Sequence, residues 1–557
     1  MARHGGQILA DALAAHGVER VFSVPGESFL AALDGLYENG IPNVVCRQEG
    51  GAAMMAEAWG KMTGRPGVVF VTRGPGASNA SAGLHIAMQD STPLIAFVGQ
   101  IARGHRDREA FQEVDYRQFF GGFVKWVAEV DQTERLPEYI MRAFHVATSG
   151  RPGPVVLALP EDMLSALSDA PDLAPTAPAV PAVSAAQVET LRDMIAGAER
   201  PLVVAGGSGW SAEAAAGLQR LGEAWKLPVA VSFRRQGHID NRSPAYAGDL
   251  AVGMNPKLGE RLRASDLLVV LGARFGDIVT NGYEVIDPAA PGVTIAHVHP
   301  DANEIGRVYR ADLAIPARAG DVVAQLAALP APQRDGAWQA AARAEYEAWQ
   351  QPKETPGAVK LEQIITWMSD NLPEDAILTN GAGNYAAFLH RYFRFKQFGT
   401  QLAPTSGSMG YGFPAAVAAS IAYPGRCVVC MAGDGCFQMT LNEMSTAIQH
   451  GATPITVVVN NGRYGTIRMH QENHYPGRVS GTDLANPDFA ALARAYGGHG
   501  EIVERTGDFA EAFVRARAAN LPAVIELRVD SDILSTGQSL SATRAAALER
   551  LAVKNSG

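Results

Sequence analysis

Two short polar motifs, each directly after an apolar run, constrain the fold of this chain more than any other feature. The first run ends at Ala432 and is followed by Gly-Asp434-Gly, and the second ends at Val459 and is followed by Asn460 and Asn461. A helix between two buried strands makes them parallel, so both motifs are expected at the carboxyl ends of neighbouring strands. The sequence therefore predicts an open parallel α/β sheet with a polar site at one edge.

The polar atoms of these motifs suit a metal ion that holds a diphosphate. The carboxylate of Asp434, the amide oxygen of Asn461 and a nearby backbone carbonyl are hard oxygen ligands, and Mg²⁺ completes such a set with water and phosphate oxygens. The glycines allow the backbone to approach a diphosphate near a helix N-terminus. We therefore expect a magnesium and diphosphate site here.

Length and composition indicate a soluble protein of several domains. A chain of 557 residues has room for about three or four domains of roughly 150 residues. Hydrophobic residues make up 47% and charged residues 19%, without an apolar run of about 18 residues, so neither disorder nor a membrane span is indicated. The net charge of -10 argues against a nucleic-acid-binding surface. Because the N-terminus shows no apolar signal-peptide core, the expected location is the cytoplasm.

The four cysteines predict no disulfide framework, because they are too few for a chain of this size. Cys427 and Cys430 have C-x-x-C spacing, which on a strand directs the two side chains to opposite faces. Core packing is therefore favoured over redox chemistry for this pair.

Strand-like runs alternate with helical stretches along the whole chain, which predicts parallel sheets covered by helices on both faces. A Pro- and Ala-rich segment at 168–186 and a second, charged break divide the chain. The expected fold class is α/β, with three doubly wound parallel-sheet domains at 1–165, 188–328 and 358–540. The glycine run that ends at Gly209 lacks the full dinucleotide-binding spacing, so a tight strand-to-helix turn is predicted there.

One carboxylate of the first domain has a position that suits proton transfer. Asn43 to Gln48 are expected to form a strand and Gly51 to Gly60 the following helix, which leaves Glu49 at the carboxyl end of the strand. In this position an acid either reacts or stabilises the helix N-terminus electrostatically, and its placement alone does not decide between the two.

The Gly-Asp434-Gly motif and the Asn pair resemble the signature of thiamine-diphosphate enzymes. The resemblance implies that Asp434, Asn461 and the backbone carbonyl of Arg463 bind the metal ion. It also implies that Glu49 hydrogen-bonds the aminopyrimidine ring and promotes the imino tautomer, whose nitrogen removes the C2 proton of the thiazolium ring. Thiamine diphosphate and Mg²⁺ are therefore the expected cofactors.

Further segments carry the same resemblance. Gly74-Pro-Gly76 is similar to the family's Gly-Pro-Gly loop, and Met409 occupies the place of the bulky residue that forces the cofactor into its bent form. The alternative role for a methionine in this place is to fill the core. The cofactor-binding residues that the resemblance implies are Glu49, Gly76, Asn384, Tyr385, Gly407, Met409, Gly433, Asp434, Gly435, Cys436 and Asn461.

The most extensive resemblance, over nearly the whole chain, is to the large subunit of acetolactate synthases, which decarboxylate a 2-oxo acid and add the product to a second carbonyl compound. Phe111 and Gln112 lie where these enzymes shape their pocket. Arg274 matches the arginine that holds the acceptor's carboxylate, and its alternative role is an ion pair at a domain boundary. The catalytic residues that the resemblance implies are Glu49, Glu27, Gln112, Arg274 and His470.

Several positions depart from the acetolactate synthase pattern. His470 lies in the segment where those enzymes have a Trp, so the preferred acceptor stays open, and the alternative for this residue is a solvent-facing position. Glu27 lies where simple 2-oxo-acid decarboxylases carry an acid, although their His-His pair is absent. Arg151 matches a flavin-contacting arginine, but Gly276 and His299 differ from the family, so FAD binding stays open as well.

Three functions are compatible with these motifs. The favoured one is an acetolactate-synthase-like carboligase, and the second is a 2-oxo-acid decarboxylase or lyase of the same family. The third is a catalytically silent thiamine-binding or regulatory subunit, against which the presence of Glu49, Asp434 and Asn461 argues. The expected substrates are small 2-oxo acids. By the family plan Glu49 and Asp434 belong to different subunits, so the resemblance implies a homodimer or homotetramer with the active site at the subunit interface.

Overall fold

The computed structural model describes residues 2–533 and 535–556 and confirms the α/β fold class. Its three large sheets each contain six parallel strands with helices packed against them. Their central strands consist mainly of Val, Ile, Leu and Ala and are buried, as expected for strands that are covered on both faces. The domain boundaries themselves stay a prediction.

The N-terminal domain alternates strands with helices. Its strands are β1 (Arg3–His4), β2 (Val21–Ser23), β3 (Asn43–Val45), β4 (Gly67–Val71), β5 (Leu94–Gln100), β6 (Trp126–Glu129), β7 (Pro154–Pro160) and β8 (Leu167–Ser168). Its helices are α1 (Gly5–Ala15), α2 (Leu30–Asn39), α3 (Glu49–Thr63), α4 (Pro75–Asp90), α5 (Tyr116–Phe120), α6 (Leu136–Thr148) and α7 (Glu161–Ser165). The large sheet has the order β3-β2-β4-β5-β7-β6, and β1 pairs antiparallel with β8.

The middle domain follows a linker without helix or strand at 169–183. Its strands are β9 (Pro201–Ala205), β10 (Val229–Ser232), β11 (Tyr246–Leu250), β12 (Leu267–Leu271), β13 (Thr294–His299) and β14 (Leu313–Pro316), in the order β11-β10-β9-β12-β13-β14. Its helices are α8 (Ala185–Gly197), α9 (Ala212–Ala224), α10 (Pro256–Ala264) and α11 (Ala319–Ala327), and α12 (Ala337–Trp349) packs against β11.

The C-terminal domain contains the sheet with the Gly-Asp434-Gly motif. Its strands are β15 (Ile377–Asn380), β16 (Gln401–Leu402), β17 (Val428–Gly433), β18 (Ile455–Asn460), β19 (His499–Val503) and β20 (Ala523–Arg528), in the order β16-β15-β17-β18-β20-β19. Its helices are α13 (Leu361–Asn371), α14 (Asn384–Tyr392), α15 (Gly412–Ala422), α16 (Asp434–Gln438), α17 (Met444–Gln449), α18 (Gly465–His474), α19 (Phe489–Ala495), α20 (Phe509–Ala518) and α21 (Leu540–Ser556).

The first and third sheets share one strand order. Counted along the chain within each six-stranded sheet, both run second-first-third-fourth-sixth-fifth, whereas the middle sheet runs third-second-first-fourth-fifth-sixth. Ligands of such sheets bind beyond the carboxyl ends of the strands, where the order reverses. In the third sheet the reversal lies between β15 and β17, directly beside Asp434, and in the first it lies between β2 and β4.

Helices α3 and α15 join the first and third domains. Both are rich in Gly and Ala and are buried over most of their length, so their axes approach closely. At Gly51 a Cβ atom would lie 2.6 Å from Glu443 Oε1, which leaves room only for glycine.

The Thr440 to Glu443 spacing is typical of a capping box, but no side-chain cap forms there. Thr440 Oγ1 donates instead to the carbonyl of Gly410 at 2.7 Å. The Glu443 carboxylate accepts from the backbone N–H groups of Arg47 and Gln48 at 3.0 to 3.2 Å. The Glu443 carboxylate therefore binds the backbone of the first domain instead of capping its own helix.

The four cysteines are free and buried, and core packing of Cys427 and Cys430 is confirmed. Cys427 packs in a hydrophobic cluster on one face of the third sheet, and Cys430 packs in the cluster on the other face. No helix in the described part of the chain is long and apolar enough to cross a membrane.

Candidate active site

A cavity of about 260 Å³ lies at the carboxyl edge of the third sheet, between the ends of β17 and β18 and helix α18. It brings together all the predicted cofactor and metal residues of the C-terminal domain. These residues are Asn384, Tyr385, Gly407, Met409, Gly433, Asp434, Gly435, Cys436, Asn461 and Arg463.

Asp434 is the first residue of α16, and its buried carboxylate is held at three points. Oδ1 accepts from the N–H of Gly435 at 2.8 Å, and Oδ2 accepts from the N–H of Gly462 at 2.9 Å and from Asn486 Nδ2 at 2.7 Å. Burial raises the pKa of this carboxyl, while these hydrogen bonds act in the opposite direction. The contacts fix the direction of the carboxylate at the cavity wall.

Asn461 and Arg463 share the cavity with Asp434. Asn461 Oδ1 accepts from the backbone N–H of Arg463 at 3.2 Å, which closes a short polar turn after β18. No group of three or more His, Cys, Asp or Glu residues that could hold a metal ion occurs in 2–533 or 535–556. One carboxylate, one amide and a backbone carbonyl suit Mg²⁺, which takes its remaining ligands from water and phosphate.

Asn486 is a residue of this site that sequence reasoning missed. Its amide nitrogen donates to Asp434 Oδ2 at 2.7 Å and to Asn460 Oδ1 at 2.8 Å, and its oxygen accepts from Gln438 Nε2 at 2.8 Å. It lies in a loop before α19, without periodicity or a motif that would connect it to the two strand ends. Its contacts orient Asp434 and the first residue of the Asn pair.

The glycines on either side of Asp434, Gly433 and Gly435, lie close to tyrosine rings. A Cβ atom at Gly435 would lie 2.5 Å from Tyr464 Cε1, and one at Gly433 would lie 3.0 Å from Tyr385 Cδ1. Gly407 has a φ of +66°, in the left-handed region that favours glycine.

Tyr385 connects the start of helix α14 to Cys436 of helix α16. The Tyr385 hydroxyl donates to Cys436 Sγ at 3.3 Å and accepts from the N–H of Gly381 at 3.2 Å. Burial raises the pKa of Tyr385 well above its usual value, so its hydroxyl stays protonated. Asn384 accepts from Thr466 Oγ1 at 2.9 Å, which links the start of α14 to α18.

Glu49 and Gly76 lie together in the first domain. The helix begins at Glu49 itself, and Glu49 Oε2 accepts from Asn79 Nδ2 at 2.9 Å. A Cβ atom at Gly76 would lie 3.2 Å from Glu49 Oε1. Neither residue is among the described residues that line the cavity beside Asp434, so a single chain keeps the two acids in separate places.

Glu27 and Gln112 lie around Arg73, at the strand-order reversal of the first sheet. Arg73 Nη2 donates to Glu27 Oε1 at 2.7 Å, and Arg73 Nε donates to the carbonyl of Phe111 at 3.3 Å. A Cβ atom at Gly74 would lie 2.9 Å from the Cβ of Gln112. The Glu27 carboxylate is 68% exposed, so it is accessible to solvent and to a ligand.

Arg274 and His470 lie away from both groups. Arg274 Nη1 donates to the carbonyl of Gln89 at 2.9 Å, a contact between the middle and first domains, and Arg274 Nε lies 3.7 Å from Glu304 Oε2 within the middle domain. His470 is exposed on α18, and the described residues of that helix that line the cavity are Gly465, Thr466 and Ile467. The roles assigned to these residues stay predictions.

Three family models match the chain. The model described as "Thiamine pyrophosphate enzyme, N-terminal TPP binding domain" matches residues 3–119, the one for the "central domain" matches 188–326, and the one for the "C-terminal TPP binding domain" matches 381–527. The chain therefore belongs to the thiamine pyrophosphate enzymes, and it binds thiamine pyrophosphate through its N-terminal and C-terminal domains.

Within that family the chain is similar to acetolactate synthases, as the sequence predicts. It is 32% identical to the acetolactate synthase isozyme 2 large subunit of Escherichia coli (strain K12), over 95% of this chain and 96% of the relative. It is also 32% identical to the acetolactate synthase large subunit of Parasynechococcus marenigrum (strain WH8102), over 90% and 84% of the two chains. The acetolactate synthase of Mycobacterium bovis is 32% identical over 95% and 88%.

Proposed function

We propose that this enzyme decarboxylates a 2-oxo acid and joins the remaining acyl unit to a second carbonyl compound, as an acetolactate-synthase-like carboligase. The observation that carries the proposal is the cavity lined by Asp434, Asn461, Arg463 and Met409. The chain that contains this cavity is similar to acetolactate synthases over most of its length. When bound, thiamine diphosphate supplies the carbanion chemistry of the reaction.

The residues of the cavity have separate tasks in this proposal. Asp434, Asn461 and the carbonyl of Arg463 would hold Mg²⁺ and through it the diphosphate, in a pocket where Gly433 and Gly435 admit the phosphates. Asn486 keeps Asp434 oriented, as a residue in contact with a metal ligand does. Glu49 holds the proton that is exchanged with the aminopyrimidine ring.

The separation of Glu49 from Asp434 supports a homodimer, or a homotetramer made of such dimers. In this arrangement Glu49 and Gly76 of one subunit complete the cavity of the other. The shared site would also contain Gln112, Glu27 and Arg73, because these residues lie on the same edge of the first sheet as Glu49. The first domain then supplies the proton-transferring groups, and the third supplies the diphosphate site.

A second candidate function is a 2-oxo-acid decarboxylase or lyase that releases an aldehyde instead of ligating it. Its support is the exposed side chain of Glu27 beside Arg73, at a position that is accessible to a ligand.

Product analysis tests the proposal. With thiamine diphosphate, Mg²⁺ and a panel of 2-oxo acids, alone and in pairs, the purified enzyme should form acetohydroxy acids and CO₂. Aldehyde and CO₂ without a ligated product would establish the second candidate. Glu27→Gln is the informative variant, because it should leave ligation within a few fold but lower aldehyde release by about 10²-fold if Glu27 is the proton donor.

We also propose that FAD occupies a second cavity, of about 750 Å³, between the three domains. Gly207, Ser208 and Gly209 line it directly before α9, and they would hold the diphosphate at the N-terminus of that helix. Arg318 lines it as well and has no ion-pair partner in the described part of the chain. Because a 2-oxo acid pair and its ligated product plus CO₂ contain the same electrons, FAD contributes binding and structure and no electron transfer.

The visible spectrum of the purified protein tests this second site. The expected result is a flavin absorbance that remains with the protein on gel filtration and is released by denaturation. Arg318→Glu should lower the flavin content because it reverses a charge at the diphosphate, whereas Arg310→Glu, at an exposed position outside the cavity, should not. A colourless wild-type protein that takes up no added FAD would disprove the assignment.

A further inference from the structure

The segment between β16 and α15, residues 403–411, carries two residues of the cofactor cavity and is called here the Met409 segment. Gly407 and Met409 line the cavity, and neither lies in a helix or strand. The segment's own domain holds it at Gly410, whose N–H donates to Cys436 Sγ at 3.1 Å. The two ends of the segment are held by the other two domains.

Two cations from those domains donate hydrogen bonds to the segment. Lys61 Nζ, on α3, donates to the carbonyl of Ala403 at 3.1 Å and to Tyr411 Oη at 3.3 Å. Arg234 Nη1, in the middle domain, donates to the carbonyl of Pro404 at 2.5 Å. Burial lowers the pKa of Arg234 to about 10, which leaves it a cation at neutral pH.

Two buried carboxylates of the first domain complete the contact. Asp90 accepts from the backbone N–H of Thr405 at 2.6 Å and from its hydroxyl, and it forms an ion pair with Lys61. Glu57 accepts from Tyr411 Oη at 2.5 Å and lies 3.1 Å from Lys61 Nζ. Burial raises the pKa of Glu57, whereas at Asp90 the opposing effect of Lys61 and a nearby arginine prevails over burial and lowers the pKa.

We propose that Glu57, Lys61 and Asp90 are positioning residues of the active site, which act through the Met409 segment and hold the Met409 side chain against the bound cofactor. The inference rests on the proposed placement of thiamine diphosphate in the cavity of the third domain. Its physical basis is that the segment has no regular structure of its own, while buried charges that would lose their partners resist any shift of its ends. A small displacement of a group that orients a reacting centre lowers the rate strongly.

The chain offers a matched pair of variants, because two hydroxyls donate to the same carboxylate. Tyr411 Oη donates to Glu57 Oε2 at 2.5 Å, and Thr92 Oγ1 donates to Glu57 Oε1 at 2.6 Å. Tyr411→Phe and Thr92→Val each remove one of these hydrogen bonds, but only Tyr411 belongs to the Met409 segment. The two variants should lower the melting temperature by similar amounts.

The exchange rate of the cofactor C2 proton, measured by NMR, should separate them. Tyr411→Phe should slow this exchange about tenfold, the equivalent of one charge-assisted hydrogen bond, and Thr92→Val should leave it within twofold. Thr405→Val, which removes a second hydroxyl contact of the segment, should behave like Tyr411→Phe. Equal exchange rates in Tyr411→Phe and Thr92→Val would overturn the proposal, whether both are slowed or both unchanged. Unchanged affinity of Asp434→Ala for thiamine diphosphate would disprove the placement of the cofactor in this cavity. That result does not depend on the comparison of Tyr411→Phe with Thr92→Val.

Discussion

Asp434→Ala is expected to weaken thiamine diphosphate binding by more than about 100-fold. A residue that only hydrogen-bonds to a metal-binding side chain contributes about 10–100-fold in metal affinity, and loss of a side chain that binds the metal directly should cost more. The carboxylate is the one anionic group in the proposed set of Asp434, Asn461 and the carbonyl of Arg463, so Mg²⁺ loses its strongest attraction there. Isothermal titration calorimetry with thiamine diphosphate, at several Mg²⁺ concentrations, measures the effect.

Two controls make this result specific. Thiamine without phosphate should bind the variant and the wild type equally weakly, because it does not use the metal. Asp483→Ala removes a 73% exposed acid from the same side of the domain and should leave the affinity unchanged. An Asp434→Ala protein with normal affinity and normal Mg²⁺ dependence would show that the metal site lies elsewhere.

Glu49→Gln is expected to lower turnover by about 10²- to 10⁴-fold, the contribution of a positioned proton-transfer group. The amide keeps the shape of the side chain and a hydrogen bond with Asn79, so cofactor binding and the melting temperature should change little. Steady-state turnover and the exchange of the C2 proton measure the effect. Glu134→Gln, at an exposed position of the same domain, serves as the control. Normal C2 exchange in Glu49→Gln would exclude the proposed role.

Mixing the two inactive proteins tests whether the site is shared between subunits. A dimer of one Glu49→Gln and one Asp434→Ala subunit has one site with both residues intact and one with both changed. Random reassociation of equal amounts should therefore restore about a quarter of the wild-type activity in a twofold-symmetric dimer. If Glu49 and Asp434 act within one chain, mixing restores nothing.

The sequence predicts those parts of the site that follow directly from strand ends. Asp434 and Asn461 are found in one cavity because each comes directly after a buried strand of the same parallel sheet. Glu49 and Gly76 are found together for the same reason in the first sheet.

Residues whose placement depends on contacts between distant segments were not predictable in this way. Asn486 reaches Asp434 from a loop, and Ile467 lines the cavity from α18, a helix that packs on α21. The spacing from Thr440 to Glu443 gives no capping box, because a contact between domains competes for the Glu443 carboxylate. Periodicity and spacing describe local structure, and they carry no information about such pairings.

Helix α3 also restricts how this enzyme can evolve. Its first residue is Glu49, and Glu57 and Lys61 lie about 12 Å and about 18 Å further along the axis, at about 1.5 Å per residue. In the proposed dimer the N-terminal end of the helix places Glu49 at the cofactor of the neighbouring subunit. The C-terminal half, through Glu57 and Lys61, positions the Met409 segment at the cofactor of its own subunit. A mutation in α3 would then alter two centres at once and seldom improve either, so changes of substrate preference should accumulate in α18 and the loops around it, where a substitution affects a single pocket.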